Sequence, residues 1–352
     1  MPSPFKSRIF LQLPWFWGLA VSAGGGALCA WAKTPLPWMI GPLLGMAVFN
    51  FSGAKLTAPI LARESGQFLI AIALGLYFTP AVAREVGAHW AVLLGAAFAA
   101  IVIGYLAGRT LSKLARVDRP TGYFASIPGG ASEMANLGDR FGAATDKVAV
   151  AHSLRILLVV CTVPVALTLL GVQGTDDYRA IVVPLDWPRL FMLFGVVAGF
   201  GLIFQLIHFP NPWMMGPLVG TIVVTAGGVE LSSMPSWLTN AGQVLLGCAL
   251  GARFQQSFLK DAPRFVASLV ATIYLTMLMA ALMALVLTYL SGISLQTLIL
   301  ATAPGGIAEM SITAKVLKLG VALVTAAHVT RVLIIVSFTM PVYRLLTRGG
   351  GK

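Results

Sequence analysis

Long apolar runs, interrupted at short intervals by charged or turn-forming residues, dominate the chain. In the first half they cover residues 14–32, 37–53, 66–80, 88–114 and 147–170; in the second, 190–207, 211–229, 239–252, 265–290 and 319–343. Most are apolar all round rather than along one stripe, the pattern of helices enclosed by lipid or by other apolar helices. A helix needs about 20 apolar residues to cross roughly 30 Å of hydrocarbon. The pattern therefore predicts an all-α, polytopic helical membrane protein with about five transmembrane helices in each half. Composition agrees: of 352 residues, 58% are hydrophobic and 10% charged, against about 25% charged in a soluble domain. Such a chain could not cover its own surface in water. Soluble enzymes and free DNA-binding domains are thereby excluded.

The formal net charge of +12 does not point to nucleic acid. Lys and Arg punctuate the gaps between apolar runs, where they set topology by staying on the cytoplasmic side. The expected partners are the lipid bilayer and a small-molecule substrate, with no nucleic acid; a homo-oligomer is left open. Cys29, Cys161 and Cys248 all lie inside apolar runs and form no disulfide framework. Lys6 and Arg8 precede the first run, and Ala30-Trp31-Ala32 imitates a cleavage site. A matching run in the second half argues for a retained first helix, in the bacterial inner (plasma) membrane.

The chain is written twice. Pro37-Trp38-Met39-Ile40-Gly41-Pro42 returns as Pro212-Trp213-Met214-Met215-Gly216-Pro217, 175 positions later. Gly66-Gln67, Pro128-Gly129-Gly130, Glu133-Met134, Ala151-His152 and Arg155 return at an offset of 176 as Gly242-Gln243, Pro304-Gly305-Gly306, Glu309-Met310, Ala327-His328 and Arg331. This divides the chain into a cytoplasmic N-terminus (1–13), a first membrane repeat (14–171), an inter-repeat loop (172–189) with Asp176, Asp177 and Asp186, a second repeat (190–347) and a tail (348–352). An odd number of crossings per copy inverts the second copy. With a cytoplasmic N-terminus and Pro-Gly-Gly elements that do not fully cross, 16 basic loop residues fall inside and 6 outside. With fully crossing elements the split is 13 to 9. Inverted five-helix repeats are expected, the common construction of secondary transporters with a midplane site.

The candidate chemistry sits where the copies match best. At Pro128, Gly129 and Gly130, and at Pro304, Gly305 and Gly306, proline lacks an amide hydrogen and glycine loosens the backbone, so a helix breaks. Irregular backbone at membrane depth survives only when buried in protein or lining a cavity. A broken helix or re-entrant element is expected in each copy, its restarted helix carrying Glu133 or Glu309 in the first turn. Turn geometry alone, with Glu capping its own helix, is the competing explanation. The spacing of His152 and Arg155, and of His328 and Arg331, puts each pair on one helical face inside an apolar run. Two explanations stand: a structural Glu–Arg clamp in each copy, or proton or cation binding at Glu with anion binding at Arg. Asn136 is a further candidate, and Gln67 and Gln243 are candidate lining residues. Gly41–Gly45, Gly104–Gly108, Gly195–Gly199, Gly216–Gly220 and Gly247–Gly251 have the spacing of close helix packing. Trp38 and Trp213 read as interfacial anchors, and Pro42 and Pro217 as kinks. No phosphate-binding loop and no metal-ligand cluster stands out, so neither a cofactor nor an enzyme is expected; H+ or Na+ would be the coupling ion.

The doubled Pro-Trp-Met-x-Gly-Pro and Pro-Gly-Gly-x-x-Glu-Met blocks resemble the bacterial AbrB-family membrane proteins, the duplicated Gram-negative type, over almost the whole chain. Labels attached to that family include regulation of gene expression and ammonia monooxygenase. No DNA-reading element or oxygenase metal site accompanies the blocks, and the small soluble regulator of the same name is a different kind of protein. The expected architecture is also similar to inverted-repeat transporters such as the bile-acid and cation/proton antiporter folds. The expectations are ordered accordingly: first an ion-coupled secondary transporter of a small anionic metabolite, then a membrane sensor acting indirectly on gene expression, then a membrane-bound monooxygenase.

Overall fold

The computed structural model describes residues 14–174, 183–229, 231–254 and 263–348. The N-terminus before Pro14, the loop residues Asp176 and Asp177, and the tail beyond Arg348 lie outside them. The described residues are helical, with no strand among them. The first half contains α1 (Pro14–Trp31), α2 (Pro37–Phe51), α3 (Ala62–Gly75), α4 (Pro80–Ala88), α5 (Trp90–Ala115), α6 (Arg119–Ser126), α7 (Ala131–Asp139) and α8 (Thr145–Leu169). The second contains α9 (Trp187–Leu206), α10 (Pro212–Ala226), α11 (Ser236–Gly251), α12 (Pro263–Ser291), α13 (Leu295–Thr302), α14 (Ile307–Val316) and α15 (Val321–Arg348).

Five helices, α5, α8, α9, α12 and α15, are long and apolar enough to cross a membrane, and the α3–α4 pair, bent by 91°, makes a sixth. Leu28, Trp31, Phe191, Leu206, Leu278 and Leu290 are more than half exposed. Outward-facing apolar side chains in that number belong in a multi-pass membrane protein. The remaining expected segments, α1, α2, α10 and α11, do not meet that test by themselves: α2 and α10 are apolar but have 15 residues each.

The helices sort into two bundles that cut across the halves. α1, α2 and α3 pack with α9, α10 and α11, while α5 to α8 pack with α12 to α15. In the first bundle, small residues bring backbones together. A Cβ on Gly247 would meet the Met39 carbonyl at 2.8 Å, and one on Gly66 would meet the Gly242 carbonyl at 2.7 Å. Gly41 lies against Gly25 and Gly216 against Gly201 in the same way. Gly195 and Gly199 face open space instead, so their spacing serves no packing within this chain. Trp38 and Trp213 are not simply surface anchors. Their rings fill the notches left by Gly26 and Gly201, at 2.9 and 3.0 Å from a notional Cβ. Pro42 and Pro217 stay inside continuous helices.

The Pro-Gly-Gly elements are hairpins. The base of the first is tied together by Asp118, which accepts from Thr121 N (2.7 Å) and Thr121 Oγ1 (2.8 Å), while Thr121 Oγ1 accepts from Ala144 N at 2.8 Å. Phe124 stacks on Phe141 with centroids 5.7 Å apart. The start of α6 therefore lies beside the turn after α7, and the chain enters and leaves on one side. In the second hairpin a Cβ on Gly320 would stand 3.1 Å from Thr297 Cγ2, which closes α13 and α14 at the corresponding place.

Candidate functional site

Each hairpin tip is fastened to the long helix that follows it. Arg155 Nη1 donates to Ile127 O (3.1 Å) and Nη2 to Gly129 O (3.2 Å), while His152 Nε2 donates to Phe124 O at 2.9 Å. In the second half Arg331 Nη1 donates to Ala303 O (2.6 Å), Nη2 to Gly305 O, and His328 Nε2 to Leu300 O at 2.9 Å. The sequence separations are the same, 28 and 26 residues. These carbonyls end a helix that cannot continue, so they carry no intrahelical partner and the negative end of the helix dipole. A guanidinium supplies both the donors and the charge they need.

The Glu–Arg clamp does not form. Among the described residues neither Glu133 nor Glu309 makes an ion pair; the one such pair is Arg189–Asp186 at 3.4 Å. Each carboxylate instead folds back over the N-cap glycine of its own helix, Gly130 for Glu133 and Gly306 for Glu309, filling the space a side chain there would need. This is the N3 position of a helix, from which Glu reaches the orphan amides of the first turn. Both acids thus stand at the self-capping position of their helices. The helix ends explain why: α7 and α14 offer free N–H groups and a positive dipole end, whereas each Arg is already taken by carbonyls.

The two tips meet in a cavity between the bundles, of about 110 Å³. Pro128, Gly129, Gly130 and Arg155 line it from one hairpin, and Gly305, Gly306, Glu309 and Arg331 from the other. Arg155 and Arg331 stand about 15 Å from the starts of α8 and α15 at about 1.5 Å per residue, near the middle of the 25-residue α8 in the first case. Gln67 also lines the cavity. The remaining expected residues do not: Pro304, Gln243, His152 and His328 lie behind the lining, Glu133 is half-buried outside it and Asn136 is exposed. Gln243 is buried and reaches Asn240 Oδ1 at 3.4 Å.

Three lining residues were not singled out from the sequence. Arg63, in the first turn of α3, donates from Nη2 to Asn211 Oδ1 at the start of α10, and Arg253 follows the end of α11. Asn211 holds a left-handed backbone (φ 49) as the N-cap of α10. Arg253 is within electrostatic reach of Arg63, Glu133 and Glu309. Among the described residues neither Arg63 nor Arg253 has a carboxylate partner.

The family profile described as "Transition state regulatory protein AbrB" matches residues 9–347. The chain is 29% identical to the Bacillus subtilis (strain 168) protein YhjN over 94% of this chain and 92% of that one. It is 25% identical to the Escherichia coli (strain K12) protein named as a regulator, AbrB, over 84% of this chain and 86% of that one. The chain belongs to the AbrB family.

Proposed function

We propose that this AbrB-family protein is an ion-coupled secondary transporter of a small anionic metabolite, working in the bacterial inner membrane, and that it is not an enzyme. The observation that carries the reading is the meeting of two re-entrant Pro-Gly-Gly tips in an arginine-lined cavity between two bundles. Irregular backbone is tolerated at such depth where it lines a cavity, and midplane sites between repeats are the rule in transporters.

The two halves act as inverted repeats of five crossings. Hairpin contacts support this. The first hairpin base packs on the end of α15, with Tyr123 Oη donating to Thr339 O at 3.1 Å and Phe141 lying 4.8 Å from the Tyr343 ring. The second hairpin base packs beside Gly320, at the start of α15. Entry from opposite ends of one helix is what inversion requires. Arg264 Nε donates to Leu114 O at 3.1 Å, joining the 109–119 and 253–264 segments, both counted as cytoplasmic by their charge. Cysteines introduced at Arg116 and Arg264 should be labelled from the same face of the membrane; labelling from opposite faces would reject the inversion.

Coupling resides in the self-capping acids. A substrate carboxylate approaching either tip competes with a Glu carboxylate for the same amides, and a proton or sodium ion on Glu releases them. Glu133→Gln together with Glu309→Gln is expected to leave a folded protein whose anion uptake no longer follows an imposed pH or sodium gradient in proteoliposomes. Uptake that keeps its gradient dependence in the double variant would remove the acids from the mechanism. A membrane sensor acting indirectly on gene expression is the second reading, favoured by the family description and by the name of the Escherichia coli relative. A wild-type protein that binds anion but shows no uptake in proteoliposomes would favour it.

A further inference from the structure

The cavity's charge breaks the duplication that governs the rest of the chain. Where the first half places Arg63, the second has Thr239; where the second places Arg253 and Asn211, the first has Tyr77 and Leu36. The helices concerned form in both halves, so the fold does not require a cation at either position. Thr239 and Leu36 are buried and Tyr77 packs beneath Lys315, whose ammonium lies 5.7 Å from its ring. Arg63 and Arg253, by contrast, project two guanidiniums into one cavity within electrostatic reach of each other, which costs free energy unless an anion joins them.

A second cationic region lies at the hairpin tips. Arg155 and Arg331 are each 5% exposed, and in both the buried Nε has no hydrogen-bond partner. A buried unsatisfied donor on a charged group is costly, and here both belong to cavity-lining residues. Four guanidiniums line the space, and Glu309 is the carboxylate that lines it with them, which leaves a surplus of positive charge.

We propose that the substrate is a dianion with two separated carboxylates, one held by Arg63, Asn211 and Arg253 and the other at the Pro-Gly-Gly tips beside Arg155 and Arg331. This rests on the transporter reading and narrows its substrate class. Arg63 and Arg253 then determine specificity: they select the second carboxylate, while the tips accept the first.

The test uses the full-length protein in detergent, with binding measured by thermal stabilisation and titration calorimetry near neutral pH. The probes are succinate, succinamate (one carboxylate replaced by an amide), inorganic phosphate and sulfate. Succinate should bind roughly tenfold or more tightly than succinamate, the scale of one charge-assisted contact. Arg63→Gln and Arg253→Gln should lower succinate affinity to that of succinamate and leave succinamate itself unchanged, and Arg63→Lys should restore part of the preference. If either Gln variant fails to fold, the wild-type succinate-to-succinamate ratio decides alone. Equal binding of succinate and succinamate would overturn the dianion proposal and leave the transporter reading standing. Tighter binding of phosphate or sulfate than of succinate would overturn the separated geometry. No binding of any of the four probes would overturn the proposal, and gradient-driven uptake of other anions in proteoliposomes would show whether the transporter reading falls with it.

Discussion

The two hairpins share their wiring and differ in their surroundings. In both, an Arg ties the tip carbonyls and a Glu caps the returning helix. Yet residues Ile307 to Ala314 of α14 are all buried, whereas α7 is largely half-exposed, with Asn136 and Asp139 facing out. α14 packs against α3 of the first bundle, and α15 packs against α3 and α4; α7 makes its close packing within its own half, against α6 and α8. One hairpin is seated on the opposite bundle and the other stands away from it. Both hairpins line the cavity, together with Arg63 and Arg253. Matching Arg and His bonds to the backbone carbonyls therefore hold each tip, although only His152 also meets its Arg through Nδ1, at 2.9 Å; the larger difference is the contact with the other bundle. Under the transporter reading this is one of two alternating states.

The comparison can be broken first at the arginines. Arg331→Leu leaves two buried carbonyls without donors and should destabilise the protein by about 1–3 kcal/mol for each, read as a lowered unfolding temperature. Arg155→Leu should cost less, because water reaches the first hairpin. Equal losses would mean that the surroundings of the tips do not matter. Gly306→Ala comes next. The added methyl displaces the buried Glu309 carboxylate, an overpacking cost of about 1–3 kcal/mol. At Gly130 the half-exposed Glu133 can swing aside, so Gly130→Ala should lose less than about 1 kcal/mol. Smallest in energy, but sharpest in contrast, is labelling in a background without native cysteines. Asn136→Cys should react with a water-soluble maleimide, and Thr313→Cys, at 1% exposure, should stay protected. Addition of a bound anion that changes neither rate would argue against alternation between the hairpins.

Much of this was legible because duplication turns one sequence into two experiments. The Pro-Gly-Gly break, the acid at N3 and the His-x-x-Arg face each recur at a fixed offset, and all of them fall at the tips. The partner of the arginine was not legible. Composition suggests a carboxylate for every buried cation, but a hairpin tip concentrates orphan carbonyls, and these appear only once the backbone path is known. Arg63 and Arg253 were hidden for the opposite reason. They lie at helix ends, where a basic residue is expected to report topology, and they lack the repeat signature that marked everything else. Loss of symmetry between otherwise matched helices was the available signal. Trp38 and Trp213 resemble interface anchors until Gly26 and Gly201 are seen beneath their rings.

Under the transporter reading, the unmatched arginines also make the two mouths of the cavity unlike. Under inversion, the alternate state opens the opposite face, and the positions presented there are Leu36, Tyr77 and Thr239 in place of Asn211, Arg253 and Arg63. Only Lys315, against the Tyr77 ring, offers a cation on that side. Under the transporter reading, the same ligand would meet two guanidiniums in one state and an aromatic, an alkyl and a hydroxyl group in the other. Such unequal mouths would hold it with unequal affinity on the two faces, while the driving gradient sets the direction of net flux.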